Sequence, residues 1–88
     1  GDILKDEGPS GLGDPELFAL AALRMQDRLA EAELSEVINM SPGMVRALVR
    51  DLDSRGLTFV DENLHIAINQ GHLPAISRLL RRRHFIQG

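Results

Sequence analysis

Two arginines one helical turn apart, Arg46 and Arg50, are the side chains with the clearest capacity for chemistry in this sequence. A guanidinium presents five N–H donors in a planar fork, which fits phosphate oxygens or the hydrogen-bonding edge of a guanine base. Gly43 and Ala47 share their side of the predicted helix, so little bulk would keep the helix backbone out of a groove. The opposite side has the inward-facing spacing i, i+3, i+4, i+7, formed by Val45, Leu48, Val49 and Leu52.

Charge is divided unequally along the chain, whose formal net charge is −3. Residues 1–40 contain nine acidic and three basic side chains, whereas residues 41–88 contain seven arginines and four acidic side chains. The net charge of the whole chain counts against a nucleic-acid partner, but the half that carries Arg46 and Arg50 is positive.

The residue types argue against an enzyme and against a metal centre. The chain has no Cys, and His65, His72 and His84 lack the i, i+3 or i+4 spacing of helical metal ligands. No Ser or Thr has a base placed beside it, and no phosphate-binding glycine loop is present. The sequence therefore predicts a domain that is not an enzyme and has no cofactor. Because disulfides are excluded and no run is long enough for a membrane helix, we expect a cytoplasmic protein.

The glycine-rich segment GDILKDEGPSGLG, residues 1–13, predicts a flexible leader or linker, which leaves residues 14–88 as one domain. A first helix is predicted from Asp14, as the N-cap residue, and Pro15 to about Leu29. An inward stripe is formed by Phe18, Ala22, Met25 and Leu29.

Three further leucines lie off that stripe, so the first half of this helix is apolar nearly all round. They predict either a helix at the centre of the domain or an interface with a second copy or a neighbouring domain. These candidate interface residues are Leu17, Leu20 and Leu23.

A tight corner is predicted between a second helix, from about Ala32 to Ile38, and the helix that carries the two arginines. Asn39 tolerates the left-handed conformation that ends helices. Ser41 is a favourable N-cap residue, and Pro42 fits the first helical position. The next helix then runs to about Arg55, so the sequence predicts a helix-turn-helix.

After Gly56 the spacing of apolar residues changes from helical to alternating, which predicts a β-hairpin with strands 57–60 and 64–68. Its turn is Asp61-Glu62-Asn63, so the tip is acidic. A last helix from Leu73 to about Arg83 follows, and its outward side carries Arg78, Arg81 and Arg82. These arginines stabilise the C-terminal end of the helix or contact phosphate, and the sequence leaves both roles open.

The order of these elements resembles the winged helix-turn-helix domains of bacterial regulators such as the MarR and GntR families. The resemblance covers Leu34 to Ile68 and is carried by the turn Met40-Ser41-Pro42 and the exit Leu52–Leu57, LDSRGL. It implies a mainly α fold with a small β-hairpin: three helices, a two-stranded wing and an additional C-terminal helix.

The resemblance further implies a DNA-binding domain of a transcription regulator that acts as a dimer on double-stranded DNA. The implied DNA contacts are Ser41, Gly43, Met44, Arg46, Ala47 and Arg50. The acidic wing departs from the family pattern, because wings that hold DNA present Arg or Lys. The alternative is a protein–protein interaction winged helix, an assembly or accessory module within a larger protein.

Overall fold

The computed structural model describes residues 11–85, which form four α-helices and one antiparallel sheet. The helices are α1 (Asp14–Gln26), α2 (Glu31–Ile38), α3 (Pro42–Ser54) and α4 (Leu73–Arg82), and a 3-10 turn covers Gln70–His72. The strands are β1 (Arg28–Ala30), β2 (Thr58–Val60) and β3 (His65–Ile68), in the sheet order β1-β3-β2. The winged helix-turn-helix fold predicted from the sequence is therefore confirmed, with one strand more than expected.

The corner between α2 and α3 forms as predicted. Asn39 adopts the left-handed conformation with φ 57°, and the Met40 N–H donates to the Ser35 carbonyl at 3.1 Å. The Ser41 side chain then caps α3 by accepting a hydrogen bond from the Met44 N–H at 3.3 Å. Chain reversal and helix initiation thus take only three residues, which fixes the direction in which α3 leaves α2.

The first helix is shorter than its apolar stripe predicts. It ends at Gln26, because Asp27 adopts a positive φ of 68° and the chain then extends as β1. Leu29, predicted to lie on the helix, instead pairs with Ile66 of β3 and is buried. The N-cap residue is Gly13 rather than Asp14, whose carboxylate forms an ion pair with Arg83 at 3.3 Å.

The core lies between the four helices and one face of the sheet, and it is aliphatic. It corrects the prediction of an interface at the α1 leucines, because these side chains are at most 1% exposed. The first helix is apolar nearly all round because it is central within the domain. The correction applies to Leu17, Leu20 and Leu23, while Phe18 and Met25 of the predicted inward stripe are exposed.

The last helix packs along α1 in the antiparallel direction. The Arg24 Nε donates to Ser77 Oγ at 3.1 Å, and the rings of Phe18 and Phe85 meet edge to face with centroids 4.8 Å apart. Leu12 is also buried against the core. The first ten residues of the predicted leader lie outside the described residues, so its boundary stays a prediction.

Candidate nucleic-acid interface

One face of α3 is held outward by the burial of the opposite face. Val45, Val49 and Leu52 are buried, and Leu48 is partly buried, as their spacing predicts. Because a helix turns 100° per residue, the remaining positions point away from the core. All six candidate contacts are exposed: Ser41, Gly43, Met44, Arg46, Ala47 and Arg50.

The two arginines on this face differ in their surroundings. The Arg46 Nη2 lies 3.3 Å from Oε1 of Glu31, the first residue of α2. Asp53, further along α3, accepts a hydrogen bond from Thr58 Oγ1. The Arg50 side chain has no hydrogen bond or ion pair within residues 11–85, so its donors are available to a ligand.

Small residues on this face leave space for a flat partner. A Cβ added at Gly43 would have no heavy atom within 4 Å outside its own stretch of helix. The neighbouring Met44 is 56% exposed and is the only large apolar side chain among the candidate contacts. A wall of a nucleic-acid groove could therefore approach the first turn of α3 closely, because no branched side chain of the candidate contacts stands in the way.

The acidic wing turn is less exposed than the sequence predicts, because Asp61 is turned back onto the sheet. Its Oδ1 accepts hydrogen bonds from the backbone N–H groups of Asn63 and His65, each at 2.9 Å. Its Oδ2 pairs with Arg28 Nη1 of β1, also at 2.9 Å. The Asp61 carboxylate thus closes the turn and joins it to β1.

These contacts lower the pKa of Asp61 below its ordinary value of 3.8. The largest cause is the hydrogen bond from the His65 N–H, and desolvation acts in the opposite direction. The Asn63 N–H and the Arg28 guanidinium lower the pKa further. Asp61 therefore stays ionised with its charge paired, and Glu62 is the exposed carboxylate of the turn.

The wing also carries apolar side chains that sequence alternation misplaces. Leu64, predicted to be the first residue of the second strand, instead lies in the turn with φ 63° and is 75% exposed. Phe59 and Val60 are also exposed. A left-handed Leu is unfavourable, because its Cβ crowds the following carbonyl. The signal that was available is the turn length, since hairpins of this kind place a left-handed residue before the second strand.

The arginines of α4 are exposed, but the described contacts do not bring them to the outer face of α3. Arg78, Arg81 and Arg82 lie on the helix that packs along α1. Arg82 makes an interaction of its own, so it is not a free cation. Their assignment as phosphate contacts stays a prediction, as does the assignment of the six α3 residues to DNA.

A second surface feature lies between α1 and α2, where an open groove of about 290 Å³ is lined only by apolar residues. Phe18 and Val37 are each 54% exposed and Met25 is 78% exposed. We call this surface the α1–α2 groove; it is lined by Phe18, Ala21, Ala22, Met25, Val37 and Ile38.

Two other kinds of site are absent from the part of the chain that the structure describes. No group of three His, Asp or Glu side chains there is arranged to hold a metal ion. None of the helices between residues 11 and 85 combines the length and hydrophobicity needed to cross a bilayer.

Solved structures of bacterial regulators are similar to this arrangement. A MarR-family transcriptional regulator from Silicibacter pomeroyi DSS-3 is similar over 84% of this chain and 56% of its own, with a TM-score of 0.70 and 25% identity. The reduced form of MarR from E. coli is similar over 88% of this chain and 57% of its own, with a TM-score of 0.77 and 16% identity.

A third similar structure is that of BpsR from Bordetella bronchiseptica, whose DNA binding is regulated by 6-hydroxynicotinic acid. It matches 96% of this chain and 64% of its own, with a TM-score of 0.77 and 17% identity. No protein-family model and no curated protein sequence matches the chain.

This chain spans only 56–64% of the length of these three structures. The likeness nevertheless extends over 84–96% of this chain. The chain therefore contains a winged helix domain that resembles those of MarR-family transcriptional regulators.

Proposed function

We propose that this chain is the DNA-binding domain of a transcription regulator and that the outer face of α3 enters the major groove. The observation that carries the proposal is the exposure of Arg46 and Arg50 on the face opposite the buried valines and leucines of α3. A helix in the major groove needs such an exposed face, with donors for base edges and small residues between them.

Two findings support this reading over the protein-interaction alternative. The structures similar in fold include transcriptional regulators, and the DNA binding of one similar protein, BpsR, is regulated by a small molecule. The charge of Asp61 is paired with Arg28, so the wing repels phosphate less than its sequence implies. In this proposal the domain acts by binding rather than by catalysis, in the cytoplasm.

Binding to duplex DNA at varied salt tests the proposal. A duplex selected from a random-sequence pool by the purified chain supplies the specific site, and a scrambled duplex supplies the non-specific one. Fluorescence anisotropy of both between 50 and 200 mM salt should give a log–log slope of about −0.9 per phosphate contacted. Absence of binding to any duplex at 50 mM salt would refute the proposal.

Arg50 separates base reading from simple charge attraction. Arg50→Ala should weaken binding to the selected duplex by about 1–3 kcal/mol, because a bidentate contact with guanine is lost. Arg50→Lys is the matched control, since it keeps the charge but lacks the fork. We expect it to bind the scrambled duplex like the original chain and to lose discrimination. Equal affinities for all three proteins would contradict base reading by Arg50.

We further propose that the α1–α2 groove is covered by a second copy of the domain or by a neighbouring domain. The proposal rests on the exposure of Phe18, Met25 and Val37, which form a continuous apolar surface outside the core. It replaces the buried leucines of α1 as the candidate interface.

Sedimentation velocity of two matched variants tests whether a second copy of the domain covers the α1–α2 groove. Met25→Asp should shift the chain toward monomer, because a charge would be buried in the contact. Met44→Asp makes the same change on α3 and should leave the association state unaltered. If the original chain is monomeric at the highest accessible concentration, a second copy is not the occupant and a neighbouring domain remains.

A further inference from the structure

The ion pair between Arg46 and Glu31 places a hydrogen-bond acceptor beside a donor on the face that we propose enters the groove. The Nη2 and Oε1 atoms are 3.3 Å apart, and the side chains are 65% and 39% exposed. Glu31 begins α2, which packs against α3, so its side chain lies beside the outer face of that helix. Neither residue is sequestered by this contact.

Stability does not explain this pair. Ion pairs between exposed side chains contribute little to folding, because water and salt screen them and both side chains lose freedom. In the structure the contact places the Arg46 guanidinium on the side of α3 that faces the start of α2. The contact also uses only part of the hydrogen-bonding capacity of each group, since Arg has five N–H donors and a carboxylate accepts several hydrogen bonds.

The major-groove edge of a G·C base pair has a matching arrangement. Guanine offers the acceptors N7 and O6, and cytosine offers the N4–H donor. Guanine O6 and cytosine N4 are hydrogen-bonded to each other, so they lie about 3 Å apart. A guanidinium on guanine with a carboxylate about 3 Å to its side therefore meets all three groups.

We propose that Glu31 is a specificity-determining residue, which together with Arg46 reads a single G·C base pair. Arg46 donates to guanine, and Glu31 accepts from cytosine N4. An A·T pair in the same orientation places thymine O4, an acceptor, where the carboxylate needs a donor, and is rejected. This inference rests on the proposed DNA-binding function of α3.

Glu31 also affects binding that does not depend on sequence. Its charge opposes the phosphates, so its presence lowers the affinity for every duplex while raising the preference for one base pair. Removing the charge should therefore have two opposite effects. Affinity for the scrambled duplex rises, and discrimination between G·C and A·T at the position that Arg46 reads falls.

The experiment measures both quantities for Glu31→Gln, Glu31→Asp and the original chain. Anisotropy gives the affinity for variants of the selected duplex that have G·C or A·T at each position in turn. The position that Arg46 reads is the one at which Arg46→Ala loses discrimination. We expect Glu31→Gln to reduce discrimination at that position roughly tenfold and to bind the scrambled duplex more tightly. Glu31→Asp keeps the charge but shortens the side chain, so it should lose discrimination without gaining non-specific affinity.

Glu36→Gln is the matched control, because it removes the same charge from an exposed position of the same helix. It should leave discrimination unchanged. In the Arg46→Ala background Glu31→Gln should also leave discrimination unchanged, since the two residues act as a pair. Thermal unfolding checks that each variant folds.

The results separate this inference from the proposed function. If the chain binds DNA and Glu31→Gln keeps full discrimination, the pair does not read a base and the inference is wrong while the function stands. The same holds if Glu36→Gln loses as much discrimination. If no duplex binds, both are wrong.

Discussion

Replacing Gly43 by Ala should make the domain more stable and a weaker DNA binder. Gly43 is the second residue of α3, directly after Pro42. Glycine in a helix is less favourable than alanine by about 0.5–1 kcal/mol, because its backbone loses more freedom on folding. The Cβ of alanine would meet no heavy atom within 4 Å outside the local helix, so no clash offsets this gain.

A stabilisation of this size is measurable. For a domain of 60–100 residues, 1 kcal/mol shifts the melting temperature by roughly 4–8 °C, so we expect an increase of about 2–8 °C. The reference is Gly56→Ala, the same chemical change at a residue with φ 76°. There an L side chain is strained, so the melting temperature should fall, although the space around Gly56 is also open.

DNA binding should change in the opposite direction to stability. If the backbone at Gly43 approaches a groove wall, an added methyl group holds the helix away, at a penalty of about 1–3 kcal/mol in affinity. Calorimetry and anisotropy on the same preparation give both numbers. A variant that gains stability and binds like the original chain would show that the first turn of α3 does not touch DNA. A loss of stability would contradict the open space around Gly43.

Two further predictions concern the wing. Because the folded pKa of Asp61 is lowered, its ionised form stabilises the fold above about pH 4, and this contribution is lost as the pH falls through the lowered pKa. Denaturant unfolding at pH 2–7 should therefore show a steeper loss of stability in acid for the original chain than for Asp61→Asn; parallel curves would mean that Asp61 has no altered pKa. Leu64→Asn should stabilise the fold by about 0.5–1 kcal/mol in the same assay, because Asn tolerates a positive φ. Leu64→Ala should give no such gain, and an equal gain for both would show that apolar exposure, not backbone strain, is the cause.

The helix-turn-helix was predictable because its signals are local. Asn39 and Ser41 act through their own backbone neighbours, and the i, i+3, i+4, i+7 spacing of α3 fixes its buried side without knowledge of the partner helix. The exposure of all six candidate contacts on α3 follows from these two signals.

Strand β1 could not be predicted, because its three residues are too few to show alternation and Leu29 continues the helical spacing of α1. It exists because β3 offers an edge with which Arg28–Ala30 can pair. The spacing of apolar residues also could not show which side of α1 is buried, because the first half of this helix is apolar nearly all round. That side is decided by the packing of α2, α4 and the sheet against α1, so Phe18 and Met25 are exposed while the three leucines of α1 are part of the core.

Net charge is a weak guide to the proposed function, because it ignores which charges are already paired. Within residues 11–85, Asp61 is neutralised by Arg28, and an acid lies beside an arginine in three further exposed pairs: Glu31 with Arg46, Asp51 with Arg55, and Asp14 with Arg83. Arg50, in contrast, has no such partner within residues 11–85. A phosphate backbone responds to the local field at the surface it approaches, within about 10 Å at moderate salt, and not to the sum over the chain. The positive donors of α3 therefore weigh more in the proposed function than the three excess negative charges of the chain.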